Sequence, residues 1–213
     1  MLRFNLILLT VLFIGCQTTK NQLPVYQQKI GPIGDKAMVS SAHPLATKVG
    51  VEVLKNGGNA VDAAIAVQFA LAVVFPRAGN IGGGGFAVIR MNDGAISSLD
   101  FREKAPLAAS RDMYLDEDGN VIPDLSTKGH KAAGVPGSVD GMFKLHEKYG
   151  SKPIDELIQP AINLAYYGYV LTDDAAKQIG YKKQDLIDVN GTEFFLAKEW
   201  NSGDRTIIKI QRF

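Results

Sequence analysis

Residues 76–101 read PRAGNIGGGGFAVIRMNDGAISSLDF, a stretch that runs from a loop into four successive glycines and then into two short apolar segments. The apolar segments, 86–91 and 95–101, are separated by Asn92, Asp93 and Gly94. An Asp-Gly pair between two strand-like segments is a strong hairpin signal, because the turn needs residues that accept a positive φ. We therefore predict an antiparallel β-hairpin directly after the glycine run.

Two helices are predicted before the glycine run. Pro44 suits a first helical turn, and apolar residues recur every four positions from Leu45 to Val53. The glycines that follow, at 57 and 58, are typical of a helix end. Residues 60–74 are apolar nearly all round but too few for a membrane span of about 20 residues, so we predict a buried helix.

Further helices are predicted after the hairpin. They cover residues 138–148, residues 153–167 despite Pro160, and a segment that ends near Ile179 and has Thr172 and Asp173 as candidate caps. Helices mixed with antiparallel strands place the chain in the α/β class in the broad sense, and more narrowly among α+β folds.

The first sixteen residues have the layout of a signal peptide. Arg3 gives a positive start, and Phe4 to Ile14 form an apolar run that is too short to cross a bilayer as a helix. We therefore expect export, to the periplasmic or cell-surface side of a bacterial membrane.

The signal-like segment ends at Cys16, the single cysteine of the chain. Phe-Ile-Gly-Cys resembles the lipobox of bacterial lipoproteins, which predicts lipidation of Cys16. The alternative is a plain secretory signal with an incidental cysteine. Residues 17–28, which are polar and without periodicity, are predicted to be a tether, and residues 29–213 one partial domain.

Composition and motifs exclude several classes of function. With 23 basic and 22 acidic residues the net charge is +1, which creates no field that favours nucleic acid. A phosphate loop follows a strand and opens a helix, whereas the glycine run at 82–85 follows a helix and opens a strand. The glycines are better explained by a backbone that approaches another closely.

The residues that metal or hydrolase chemistry would need are absent or badly spaced. His43, His130 and His146 do not have metal-ligand spacing. No Gly-x-Ser-x-Gly elbow occurs, and the cysteine lies in the export segment. We expect no metal and no other cofactor.

Arg102 is the candidate binding residue. It follows the predicted second strand, between Asp100 and Glu103. A guanidinium binds a carboxylate through two parallel hydrogen bonds, so Arg102 could anchor an amino-acid carboxylate. The alternative is a surface ion pair with Asp100 or Glu103, which is common and weak. From these residues alone, the surface pair is the favoured interpretation.

Several stretches together resemble the large-subunit portion of the gamma-glutamyltransferase family. They occur in the order and spacing of that family up to about residue 205. The stretches are MVSSAHP at 38–44, VLKNGGNAVDAAIA at 53–66, PRAGNIGGGGF at 76–86, DFREKAP at 100–106, GVPGSVDG at 134–141, YGSK at 149–152 and QPAINLA at 159–165.

The resemblance implies a four-layer αββα fold of the N-terminal-nucleophile hydrolase type, which would be incomplete in this chain. It also implies a precursor that cuts itself and exposes a threonine at the start of a small subunit. That threonine attacks the γ-glutamyl amide of glutathione or a related compound, and its own α-amine acts as the base. Water or an acceptor amino group then resolves the acyl-enzyme.

By the same resemblance, Arg102 grips the α-carboxylate of the γ-glutamyl group, and the glycine run packs beneath it. The Thr-Thr-His type segment that carries the nucleophile has no counterpart in the sequence. We therefore expect no catalytic residue here, no activity of the chain alone, and a small-subunit portion of the same precursor as its partner. The alternative is an exported lipoprotein that binds γ-glutamyl compounds without cleaving them.

Overall fold

A computed structural model describes residues 31–192 and 198–206 of the chain. The chain divides into two units, Met1–Asp35 and Lys36–Phe213, and the elements below belong to the second. The predicted signal peptide, Cys16 and the tether lie outside the described residues, so the structure does not bear on them.

Five α-helices and one two-stranded antiparallel sheet make up the regular structure of the described residues. In chain order these are α1 (Pro44–Lys55), α2 (Ala60–Val74), β1 (Phe86–Arg90), β2 (Ile96–Asp100), a 3-10 turn (His130–Ala132), α3 (Ser138–Tyr149), α4 (Ile154–Tyr167) and α5 (Asp173–Asn190). None of the helices in this part of the chain is both long and apolar enough to cross a membrane. The predicted mixture of helices and antiparallel strands is confirmed.

Local capping sets the ends of the first two helices. The His43 side chain caps α1, because its Nδ1 accepts a hydrogen bond from the Leu45 backbone N–H at 3.2 Å. Burial lowers the pKa of His43, which agrees with a neutral ring that can accept there. After α1, Gly57 takes a φ of 82°, as the sequence predicted for the helix end. Asn59 then caps α2 by accepting from the first backbone N–H groups of that helix.

Helix α2 is the centre of the core, as predicted from its nearly uniform apolar surface. The α1, α3 and α4 helices pack around it. Its buried side chains contribute to two clusters, and full burial of a side chain such as Ile65 contributes roughly 1.5 to 3 kcal/mol. The first cluster contains Ala46, Ala70, Val74, Tyr169, Leu171, Ile179 and Trp200. The second contains Val61, Ile65, Ala66, Met142, Leu145 and Leu157.

The hairpin forms where it was predicted, with β1 one residue shorter at its turn end and β2 one residue shorter at each end. Phe86 pairs with Asp100 and Arg90 with Ile96, and Gly94 adopts a φ of 89° in the turn. One face of the hairpin packs on the second cluster through Ala87, Ile89 and Leu99. The opposite face, which carries Phe86, Val88 and Ile96, is exposed.

Helix α5 is longer than predicted. Thr172 caps it by accepting from the Ala175 N–H, as expected, but the helix continues past Ile179 to Asn190. The prediction was wrong because it ended the helix at the last fully buried residue, Ile179, whereas the helix continues through Leu186 and Ile187, which are only partly buried. Pairs along the helix, such as Lys182 with Asp185, favour the later turns. Gly191, with a φ of 81°, ends the helix.

Candidate functional site

The glycine run at 82–85, which leads into the hairpin, is joined to the start of α3 by hydrogen bonds. The Gly83 carbonyl accepts hydrogen bonds from the backbone N–H groups of Gly137 at 2.8 Å and Ser138 at 3.0 Å. The Asn80 side-chain oxygen accepts from the Gly83 N–H at 2.6 Å and pairs with the Ser138 hydroxyl at 3.1 Å. The first N–H of α3 therefore already has a protein partner, which argues further against a phosphate loop.

Gly84 lies against the backbone that follows β2. A Cβ added at Gly84 would stand 2.5 Å from the backbone nitrogen of Glu103 and 2.6 Å from the Cα of Arg102, which no real side chain tolerates. The prediction that the glycines allow a close approach of two backbones is confirmed at this position. This close approach fixes the backbone where the chain leaves the sheet, which is the position of the candidate binding residue, Arg102.

Arg102 lies two residues after the end of β2. Its main chain is fixed and its guanidinium is accessible. Its backbone N–H donates to the Asp100 carboxylate at 3.0 Å. Its Nη2 lies 3.6 Å from a Glu103 carboxylate oxygen, and its Cζ lies 5.8 Å from the centre of the Phe86 ring. The side chain keeps 59% of its surface exposed.

Both interpretations of Arg102 drawn from the sequence have a basis in this geometry. The surface ion pair is present with Glu103, whereas Asp100 accepts from the main chain of Arg102 instead. A half-exposed pair contributes roughly 0 to 1 kcal/mol, so an incoming carboxylate can compete with Glu103 for the guanidinium. A fork with accessible donors can then bind that carboxylate through two parallel hydrogen bonds. The role of Arg102 as a carboxylate anchor stays a prediction.

The anchor faces an open surface. A cavity of about 390 Å³ lies between α1 and α4, and another of about 430 Å³ lies beside the starts of α1 and α5. Neither cavity is lined by Arg102 or by the glycine run.

The sequence analysis missed Phe86 as a neighbour of the site. Its ring contacts the guanidinium because Phe86 and Asp100 are directly opposite in the hairpin register, and Arg102 follows two residues later. The contact could have been predicted from the hairpin. Pairing the two strands outward from the Asp93-Gly94 turn places Phe86 beside the end of β2, close to Arg102.

Most of the threonines in the described ranges have structural roles. Thr47 pairs with the Ser41 hydroxyl, Thr127 donates to the Asp124 carbonyl, and Thr172 caps α5. The buried Thr206 hydroxyl bonds to both backbone groups of Tyr169. These bonds account for the four hydroxyls without a nucleophilic role.

Known proteins resemble this chain in both sequence and structure. A profile of the family described as Gamma-glutamyltranspeptidase matches residues 46–209. The glutathione hydrolase proenzyme of Pseudomonas sp. (strain A14) is 60% identical over 190 residues, which are 87% of this chain and 33% of that protein. The corresponding proenzyme of Escherichia coli (strain K12) is 49% identical over 144 residues, which are 68% of this chain and 25% of that protein.

The crystal structure of Helicobacter pylori gamma-glutamyltranspeptidase superposes with a TM-score of 0.77 at 45% identity, covering 86% of this chain and 52% of that one. The expected fold, an α+β arrangement of the αββα N-terminal-nucleophile type that is present in part, is thereby confirmed. The chain spans about a third or less of the length of these two curated relatives and matches their large-subunit portion. On this family match and this agreement in structure, the chain belongs to the gamma-glutamyltranspeptidase family.

Proposed function

We propose that this chain is the large-subunit part of an enzyme that cleaves or transfers the γ-glutamyl group of glutathione and related γ-glutamyl compounds. Its relatives carry the name glutathione hydrolase proenzyme, which supports both the substrate and a precursor that is processed. The observation that carries the proposal is the accessible Arg102 guanidinium, whose main chain is held by Gly84 and Asp100.

In this proposal the chain binds and orients the substrate, and the small-subunit portion of the same precursor supplies the threonine nucleophile. Arg102 takes the α-carboxylate of the γ-glutamyl group in two charge-assisted hydrogen bonds. Binding the end of the substrate remote from the scissile amide places that amide at a defined distance from the nucleophile. The threonine then forms an acyl-enzyme, which water or an acceptor amine resolves.

Replacing Arg102 by alanine is expected to weaken glutathione binding to the purified chain about tenfold. A hydrogen bond to a charged group contributes about 1.5 kcal/mol or more, and 1.4 kcal/mol corresponds to a factor of ten in affinity. Arg102→Lys should recover only part of the loss, because an ammonium cannot form the two parallel bonds of the guanidinium. Isothermal titration calorimetry with glutathione measures the three dissociation constants.

Arg111→Ala is the matched control, because Arg111 is 93% exposed and, among the described residues, pairs only with its neighbour Asp112. It should bind glutathione as the wild type does. Equal affinities for the wild type, Arg102→Ala and Arg111→Ala would remove Arg102 from the binding site and leave the proposal without its structural basis.

Reconstitution separates the enzyme from the binding-module alternative. We would co-express the chain with the whole remaining portion of the Pseudomonas sp. relative, beyond the third that this chain matches, and measure release of p-nitroaniline from γ-glutamyl-p-nitroanilide. Turnover that is lost on Arg102→Ala supports the enzyme. A stable complex that binds glutathione but releases no chromophore supports a binding module instead.

We also propose that the protein is exported and anchored by a lipid on Cys16. The support is the Phe-Ile-Gly-Cys sequence after the apolar run. Expressed in bacteria with labelled palmitate, the wild type should carry the label and fractionate with membranes, whereas Cys16→Ser should lose the label and become soluble. Equal labelling of the two proteins, or no label on either, would leave only the plain secretory signal.

A further inference from the structure

The exposed ring of Phe86 lies next to the guanidinium of Arg102. Phe86 keeps 65% of its surface accessible in the part of the chain that the structure describes. The Arg102 Cζ lies 5.8 Å from the ring centre, within the range at which a cation is attracted to the π-face. The Nη2 of the same guanidinium lies 3.6 Å from a Glu103 carboxylate oxygen, in an exposed pair that a ligand carboxylate can displace.

The other neighbours of Arg102 either contact its main chain or pair with its guanidinium. Asp100 and Gly84 hold its main chain. Glu103 attracts the guanidinium, but a carboxylate that pairs with the fork occupies the donors that a ligand would need. The Phe86 ring, whose centre lies 5.8 Å from Cζ, attracts the guanidinium without supplying a carboxylate that would pair with its N–H donors.

We infer that Phe86 is a positioning residue that holds the Arg102 guanidinium ready for a ligand carboxylate. The inference rests on the proposed function for the identity of that ligand. The contact itself is a property of the hairpin, since the register that pairs Phe86 with Asp100 also brings the ring beside Arg102. A guanidinium held in place before binding loses less conformational freedom when the ligand arrives.

The test separates the aromatic character of Phe86 from its bulk. Phe86→Leu keeps an apolar side chain and removes the π-face, while Phe86→Trp provides a stronger one. Val88→Ala is the matched control, because Val88 is 79% exposed on the same face of the hairpin. Since Phe86 and Val88 are exposed, all three variants should fold.

The first measurement needs no ligand. In chain labelled with ¹⁵N-arginine, relaxation of the Arg102 Nε–Hε group reports how restricted the guanidinium is, with the signal assigned by its absence in Arg102→Lys. We expect Phe86→Leu to increase the motion, and Phe86→Trp and Val88→Ala to leave it as in the wild type. Unchanged motion in Phe86→Leu would overturn the inference.

The second measurement is the dissociation constant for glutathione. Phe86→Leu should weaken binding about two- to fivefold, the effect of an exposed cation–π contact. In an Arg102→Ala background the same substitution should have no further effect. An equal loss in Val88→Ala, or a loss that persists without Arg102, would assign Phe86 to general packing and overturn the inference.

The two proposals can fail separately. If Arg102→Ala leaves glutathione binding unchanged while Phe86→Leu still frees the guanidinium, the carboxylate role fails and only the contact stands. If Arg102→Ala abolishes binding while Phe86→Leu changes neither motion nor affinity, Arg102 binds glutathione without help from Phe86.

Discussion

Asp62→Asn is expected to destabilise the chain by about 3 to 5 kcal/mol. Asp62 is fully buried at the start of α2, and its carboxylate accepts backbone hydrogen bonds from Asn59 at 2.8 Å and Ser151 at 2.9 Å. The Ser151 hydroxyl donates to it at 2.5 Å. An asparagine amide would turn a donor toward these donors, and each hydrogen bond to a charged group contributes about 1.5 to 3 kcal/mol. Urea unfolding followed by circular dichroism measures the loss.

The effect should depend on pH in a defined direction. Burial alone would raise the pKa of Asp62, but the hydrogen bonds from Ser151, Asn59 and Lys152 outweigh it and lower the pKa below its usual value. A carboxyl with a lowered folded-state pKa contributes stability that is present above the unfolded-state pKa, near 4. That contribution is lost as the pH falls through the folded-state pKa. The difference in unfolding free energy between wild type and Asp62→Asn should therefore be constant above about pH 5 and shrink below about pH 4.

Asp140→Asn is the matched control. Asp140 also lies in the first turn of a helix, but it is exposed and forms a surface ion pair with Lys144. Its substitution should change the unfolding free energy by less than about 0.5 kcal/mol. A cost for Asp62→Asn no larger than that of Asp140→Asn would show that the buried network does not stabilise the connection between α3 and α4.

The ends of the elements could be predicted from the sequence where the signals are local. Pro44 and Gly57 bound α1, and the Asp93-Gly94 turn sets the hairpin, because each signal acts within a few residues. The end of α5 was missed although Gly191 carries the same local signal as Gly57. The prediction ended the helix at its last fully buried residue, Ile179, whereas the later apolar residues Leu186 and Ile187 are only partly buried.

The partners of the buried and candidate site residues depend on contacts between distant parts of the chain. Asp62 was visible as a polar residue in an apolar helix, and its spacing from Asn59 fits a capping box. Its bonds to Ser151, however, join residues 89 positions apart, and no local pattern encodes that partner. Arg102 was recognisable as a candidate, yet which of Asp100 and Glu103 would meet its guanidinium became clear only from the structure.

Gly84→Ala is expected to cost about 3 kcal/mol of stability and to weaken glutathione binding as strongly as Arg102→Ala does. The added Cβ would meet the Glu103 nitrogen and the Arg102 Cα, both main-chain atoms that no rotamer change can move aside. The segment cannot shift freely, because the Phe101 N–H donates to the Gly85 carbonyl at 3.0 Å and Lys104 pairs with Val135. Relief must therefore displace Arg102 or open the sheet end.

Gly82→Ala in the same run distinguishes this steric effect from a general need for glycine. A Cβ at Gly82 would meet no atom within 4 Å, and its φ is not in the left-handed region, so alanine should be neutral or slightly stabilising. Thermal unfolding gives the stability of both variants, and calorimetry with glutathione at a temperature where both are folded gives the affinity. Equal behaviour of the two variants would contradict the close approach at Gly84. If Gly84→Ala lowers stability but leaves the affinity for glutathione unchanged, the contact at Gly84 stabilises the fold without setting the position of the Arg102 side chain. That result would contradict the predicted loss of affinity.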